Sequence, residues 1–164
     1  MITAKLTRGT NCSIARDAFV GYNEHGNNGQ IIFGNNVRIR ERCILRTCTG
    51  IISIGNDVVV NYGCILHAQH NIYIGNDVIF SPNVQIHAAN HSIAKNQLIR
   101  KQSNHGTGVI IGNDVWIGAG AIILDGATIS DGVVIGAGSV VTNGCIYGYE
   151  IWAGNPAVKI GERH

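Results

Sequence analysis

Seven histidines and five cysteines hold most of the chemistry that side chains of this sequence can offer. His91, in Ile86-His87-Ala88-Ala89-Asn90-His91-Ser92, stands where a regular stretch ends and an irregular one begins. An imidazole, with an unperturbed pKa near ~6.5, can take the proton of a hydroxyl or an amine as that group attacks an electrophile. A neutral imidazole can also bind a metal, and two others are placed to act together. His67 and His87 each follow the aliphatic residue of an equivalent hexad, Leu66 and Ile86, so they are expected to stack roughly 5 Å apart, with His70 and His91 nearby. The cysteines at 12, 43, 48, 64 and 145 form no CxxC pair, and an odd number cannot pair completely within one chain.

A six-residue repeat positions these groups. Six near-copies of one pentapeptide begin at Ile14 (Ile14-Ala15-Arg16-Asp17-Ala18), Phe33, Ile54, Ile74, Ile111 and Ile129, at intervals of 19, 21, 20, 37 and 18 residues. Between them an aliphatic residue recurs every sixth position, as in Ile111, Ile117, Ile123, Ile129, Ile135 and Val141. A period of six suits neither an amphipathic helix nor a hairpin. It suits a triangular coil whose three short strands each turn one large and one small residue inward, with corners at the Gly-Asn-Asp segments, whose residues tolerate left-handed backbone angles. Stacked coils pair as parallel strands, and stability comes from neighbouring coils. The fold class read from the repeat is all-β: a parallel β-helix of about six coils in one domain, residues 1–164, with a tail from about 147. Cys12, Cys43, Cys64 and Cys145 fall at the small inward position held elsewhere by Val115, Ala121 and Ser139, which makes them core thiols. A Cys43–Cys64 disulfide is the alternative.

Composition agrees with a compact chain: 45% hydrophobic, 13% charged, with 22 glycines, two prolines and one methionine. A net charge of +2 argues neither for nucleic acid nor for an anionic membrane. No apolar run approaches the length of a membrane span, and Met1 to Thr10 lacks the apolar stretch of a signal peptide, so a cytoplasmic location is expected. The 37-residue interval holds one coil plus 19 extra residues, about Ser92 to Ile110, with Lys95, Arg100 and Lys101 and no acidic residue. Loops of that length are usually lids or binding loops.

The tandem hexads from Ile54 onward resemble the hexapeptide-repeat acyltransferases, in particular the galactoside and maltose O-acetyltransferases. The likeness is strongest in Ile111-Gly112-Asn113-Asp114-Val115-Trp116-Ile117-Gly118-Ala119-Gly120-Ala121 and Val134-Ile135-Gly136-Ala137-Gly138-Ser139, and it resumes at Ala153-Gly154-Asn155-Pro156-Ala157. The resemblance implies a left-handed helix, a handedness that the period leaves open. It implies acetyl-CoA as co-substrate and no metal, a homotrimer with sites between subunits, and His91 as the general base of acyl transfer to a sugar hydroxyl. Trp116 would lie against the pantetheine arm, Ala119 and Ala137 would present backbone groups to its amides, and Lys159 or Arg163 would meet the phosphates. Asn61 would hold the acceptor, with a turn role as its alternative. Where relatives carry an acidic residue, this chain has Gln69 beside His70, and its basic residue after Pro156 is displaced by one.

Other functions stay open. The acceptor group can be the amine of an amino or nucleotide sugar, giving an N-acetyltransferase. The stacked His67 and His87 fit a zinc enzyme like the γ-class carbonic anhydrases, and a non-catalytic β-helix scaffold is a third alternative. Surface polysaccharide or glycolipid assembly is the process such an acetyltransferase would serve. Arg38, Arg40, Arg42 and Arg46 fall on one coil, to bind an anionic acceptor or a neighbouring subunit.

Overall fold

The computed structural model describes residues 5–22 and 29–164. Three parallel sheets form the faces of a left-handed triangular prism with six complete coils and the start of a seventh. The first face stacks Lys5–Arg8, Gln30–Phe33, Ile51–Ile54, Ile72–Ile74, Val109–Ile111, Ala127–Ile129 and Gly144–Ile146. The second stacks Ser13–Ile14, Arg38–Ile39, Val59–Val60, Ile79–Phe80, Trp116–Ile117, Val134–Ile135 and Glu150–Gly154, and Ala157–Glu162 pairs antiparallel at its edge. The third stacks Phe19–Tyr22, Ile44–Thr47, Ile65–Ala68, Gln85–Ala88, Ile122–Leu124 and Val140–Val141. We call the edges between the first and second, second and third, and third and first faces the first, second and third corners. Among the described residues no helix is long and apolar enough to cross a membrane.

Period-two alternation within each short strand buries the same columns in successive coils, such as Ile39, Val60, Phe80, Ile117 and Ile135 on the second face. The small inward positions are filled by Val115, Ala121 and Ser139, and by Cys43 and Cys64, all buried. Cys12, Cys43, Cys64 and Cys145 are free thiols. Cys145 departs from the expected pattern: it faces outward beside Thr128, because the hexad slips after Val141 and only Ile146 of that strand turns inward. Cys12 is half-buried near the open end of the prism.

The repeated Gly-Asn-Asp has a division of labour. At Gly55 a Cβ would come within 2.6 Å of the Gly75 carbonyl oxygen, so glycine is required by the approach of the next coil, not by its torsion angle. The asparagines form a ladder: Asn35, Asn56 and Asn76 each donate a backbone N–H, at 2.8 Å, to the side-chain oxygen of the next one, ending on Asn113. The third residue makes the turn, at φ 57° for Asp57, 58° for Asp77 and 54° for Asp114.

The first pentapeptide is misplaced by one hexad in the sequence reading. Phe33 pairs with Arg8, whereas Ile14 pairs with Ile39, so Arg8-Gly9-Thr10-Asn11-Cys12 is the true first copy and Ile14 to Ala18 turns the second corner. The terminal strand Lys5–Arg8 is exposed throughout, so its hexad can carry Arg8 where inner coils need an aliphatic residue.

Candidate active site

At the third corner, after Gln85–Ala88, the chain leaves the prism. Asn90–His91 pairs antiparallel with Asn104–His105, setting His91 opposite Asn104, and a short 3-10 turn at Ile99–Lys101 lies between them. Gln102 ties the loop together, accepting from the Ala94 N–H at 2.8 Å and donating to the Ala94 and Gln97 carbonyls at 2.9 and 3.0 Å. The return is fixed by Asp125, whose Oδ1 accepts from the N–H groups of Thr107 at 3.0 Å and Gly108 at 2.8 Å. The excursion thus spans 89–108, between Ala88 and Val109. Val109 and Ile110 are first-face residues, not part of the insert as the sequence reading had them.

His91 is half-buried, with Nδ1 3.1 Å from the Ser92 carbonyl oxygen. That carbonyl can only accept, which assigns the proton to Nδ1 and leaves a lone pair on Nε2. Around it, Asn104 Nδ2 donates to Gln69 Oε1 at 3.1 Å, and Ser92 Oγ lies 3.4 Å from His105 Nδ1. An open cleft of about 450 Å³ adjoins this corner, lined by Asn90, His105, Thr107, Asp125, Thr142 and Asn143 among others. Gly106 closes the loop against His70 and Asp125; a Cβ there would meet them at 2.5 and 2.6 Å. Asn104 and His105 escape the sequence reading because the pairing inside the excursion does not follow the hexad period, and Asp125, after Leu124, joins the site only through the returning Thr107 and Gly108.

The second corner gathers a different set. Trp116 lies on a second-face strand rather than at a corner, 51% exposed between Ile79 and Val134, and its Nε1–H donates to Ser81 Oγ at 2.9 Å. Ala119 and Ala137 are exposed one coil apart at the second corner, and the Ala119 carbonyl accepts from Gly138 N–H at 2.8 Å. Asn61 is half-buried at the same corner, its Oδ1 accepting from Tyr62 N–H at 3.1 Å. Within one chain, then, Asn61, Trp116, Ala119 and Ala137 come together. His91 and Gln69 stand at the far edge of the third face.

Lys159 and Arg163 belong to the final hairpin. Lys159 Nζ contacts Glu150 at 2.9 Å and Glu162 at 2.6 Å. These carboxylates raise the pKa of Lys159, and Lys159 and the Trp152 Nε1–H lower that of Glu150. Arg163 bonds Asp114 Oδ2 at 2.8 Å and stacks over Tyr149. The four arginines of the second coil spread over two faces and a corner; Arg42 lies over Tyr62 and Arg46 over Phe19.

His67 and His87 do stack, with ring centroids 6.3 Å apart and edge to face. His87 Nε2 is 3.0 Å from Gln85 Oε1, and His67 Nε2 is 3.8 Å from Cys48 Sγ. Burial lowers the pKa of both, and for His67 the neighbouring His87 and Arg46 lower it further. Among the described residues, no three His, Cys, Asp or Glu side chains are grouped to hold a metal ion.

Residues 108–143 match the family described as bacterial transferase hexapeptide (six repeats). No curated protein matches the chain. Among solved structures, a maltose O-acetyltransferase from Clostridium difficile 630 is 43% identical with a TM-score of 0.65; the match covers 69% of this chain but only 59% of that one. A variant of AntD, an N-acyltransferase from Bacillus cereus in complex with dTDP-4-amino-4,6-dideoxyglucose and coenzyme A, is 27% identical with a TM-score of 0.82, over 96% of this chain and 83% of that one. A hexapeptide-repeat acetyltransferase from Vibrio cholerae is 28% identical with a TM-score of 0.63, over 68% and 62%.

Proposed function

We propose that the chain is a hexapeptide-repeat acyltransferase that moves an acetyl group from acetyl-CoA to a hydroxyl of a sugar-containing acceptor, with His91 as general base. The observation that carries the proposal is the His91 imidazole at the mouth of the excursion, its Nδ1–H engaged by the Ser92 carbonyl. Nε2 accepts the hydroxyl proton as the oxygen attacks the thioester carbonyl. The coenzyme leaves as its thiolate, and the imidazolium returns the proton to that sulfur. No covalent intermediate on the protein is needed.

The coenzyme fits the outer side of the second face. Trp116, Ile79 and Val134 make an apolar strip for an extended pantetheine arm, and the small side chains of Ala119 and Ala137 leave their backbone open to its amides. Lys159 reaches a phosphate only by exchanging Glu150 or Glu162. Because the second face lies opposite the third corner in a triangular prism, His91 and this strip face away from each other in one copy. A homotrimer in which the second face of one subunit covers the third corner of the next brings base and thioester together.

One observation favours a second reading, acyl transfer to the amine of a nucleotide-linked sugar: the alignment with the N-acyltransferase runs nearly end to end, at 96% of this chain. Thiol release from acetyl-CoA, measured over neutral, amino and nucleotide sugars, tests both. His91→Ala is expected to lower turnover by roughly 10² to 10⁴; unchanged turnover removes His91 from the mechanism. Hydroxylamine cleaves an ester product and spares an amide, which separates the two acceptor classes.

A further inference from the structure

Across the outer side of the third face a column runs in register through Gly21, Arg46, His67, His87 and Leu124. Arg46, His67 and His87 line a pocket of about 200 Å³ whose apolar walls are Ile44 and Ile65. We propose that this pocket is an anion subsite that binds the diphosphate of the acceptor, which makes the acceptor a nucleoside-diphosphate sugar. The proposal rests on the acyl-transfer reading and narrows its substrate class.

Position is the first argument. The third face spans the distance between Asn61 at the second corner and Gln69 with His91 at the third, so an acceptor that reaches His91 from the side of Asn61 lies against it. His67 precedes Gln69 by two residues, about 7 Å along an extended strand, roughly the width of one sugar ring. Chemistry is the second. A guanidinium and two imidazoles stack on adjacent coils, and among the described residues no carboxylate lines the pocket. Among the described residues Cys48 is a further titratable group against them, beside His67; the Asp125 carboxylate, next to Leu124 in the chain, is taken up by Thr107 and Gly108. Three groups of one potential sign in a half-buried site repel one another when protonated, and an anion reverses that cost. The lowered pKa of both imidazoles agrees. Size is the third: whole-ligand pockets run to about 300–1,000 Å³, so this one suits a fragment such as a diphosphate. Arg46 supplies the planar donor pair that phosphate oxygens accept.

Coenzyme A also carries a diphosphate, so the test separates the two sources. With the full chain, calorimetric titration of dTDP in the presence of saturating coenzyme A is expected to show binding with proton uptake that tightens from pH 7.5 to 6. Arg46→Gln is expected to weaken it at least tenfold, His87→Gln severalfold, and Arg46→Lys less than Arg46→Gln, with coenzyme A binding unchanged in all three. Equal dTDP affinity in Arg46→Gln, or no dTDP binding, overturns the subsite. Loss of coenzyme A affinity in Arg46→Gln overturns it too, by giving the pocket to the coenzyme. Arg46-dependent dTDP binding without acyl transfer would leave the subsite standing and sink the acyl-transfer reading. Transfer to neutral sugars that ignores both dTDP and Arg46 would do the reverse.

Discussion

Replacing Asp125 with alanine should loosen the excursion without unfolding the prism. The Asp125 carboxylate receives N–H groups from Thr107, at 3.0 and 3.1 Å to its two oxygens, and from Gly108 at 2.8 Å, and it makes these bonds where the excursion rejoins Val109–Ile111. Hydrogen bonds to a charged group contribute about 1.5–3 kcal/mol each, but Asp125 is only half-buried and water competes for its donors. Discounting to about 1–1.5 kcal/mol for each of the two donor groups gives about 2–3 kcal/mol of local stability. At ~1.4 kcal/mol per decade, amide exchange at Thr107 and Gly108 should quicken roughly 30- to 150-fold. Buried amides such as Ile123 draw protection from coil stacking and should change less than threefold. Hydrogen exchange followed by mass spectrometry resolves the two regions. Asp125→Asn keeps an acceptor and should fall between wild type and Asp125→Ala. If exchange at 104–108 is unchanged in Asp125→Ala, the carboxylate does not hold the excursion; if the whole chain speeds up together, the excursion is not a separate unit.

Trp116→Ala should raise the KM for acetyl-CoA about tenfold while shifting the unfolding free energy by less than about 1 kcal/mol, since the indole is 51% exposed on the outer side of the second face. Steady-state kinetics and urea unfolding on the same preparation check both halves. Stability should also depend on pH through His67 and His87. Their folded pKa values lie below the ordinary 6.5, so the unfolded chain binds more protons in acid; their contribution is complete above pH 6.5 and is lost as pH falls from there through the lowered values. The urea midpoint should therefore drop between pH 7.5 and 5.5, and His67→Gln should flatten that drop; an unaltered slope in His67→Gln would discount the effect.

The prism was legible because each inner coil must bury the same columns, and Ile54, Ile74, Ile111 and Ile129 repeat that demand in the chain itself. Legibility failed at the ends, where burial stops dictating residue type. Arg8 could stand at an aliphatic position, which slid the first copy by one hexad, and Cys145 could turn outward once the repeat slipped after Val141. His91 stood out because it follows the last regular strand, Gln85–Ala88, where the excursion begins. Its surroundings did not, because Asn104 and His105 reach it by antiparallel pairing, for which spacing along the chain gives no rule. The resemblance put Asn61 at one site with His91, but within one chain the corners separate them by the width of a face. Only the closed triangle reveals that separation.

The separation of His91 from Trp116 gives the central claim its most direct measurement. If the site unites the third corner of one subunit with the second face of another, then His91→Ala and Trp116→Ala chains, each impaired alone, should complement when co-expressed and isolated as mixed oligomers. Such oligomers contain some interfaces with both wild-type residues, so acyl transfer should recover to a substantial fraction of wild type, well above the average of the two pure variants. Activity no higher than that average would contradict the account, because it would confine each working site to a single chain.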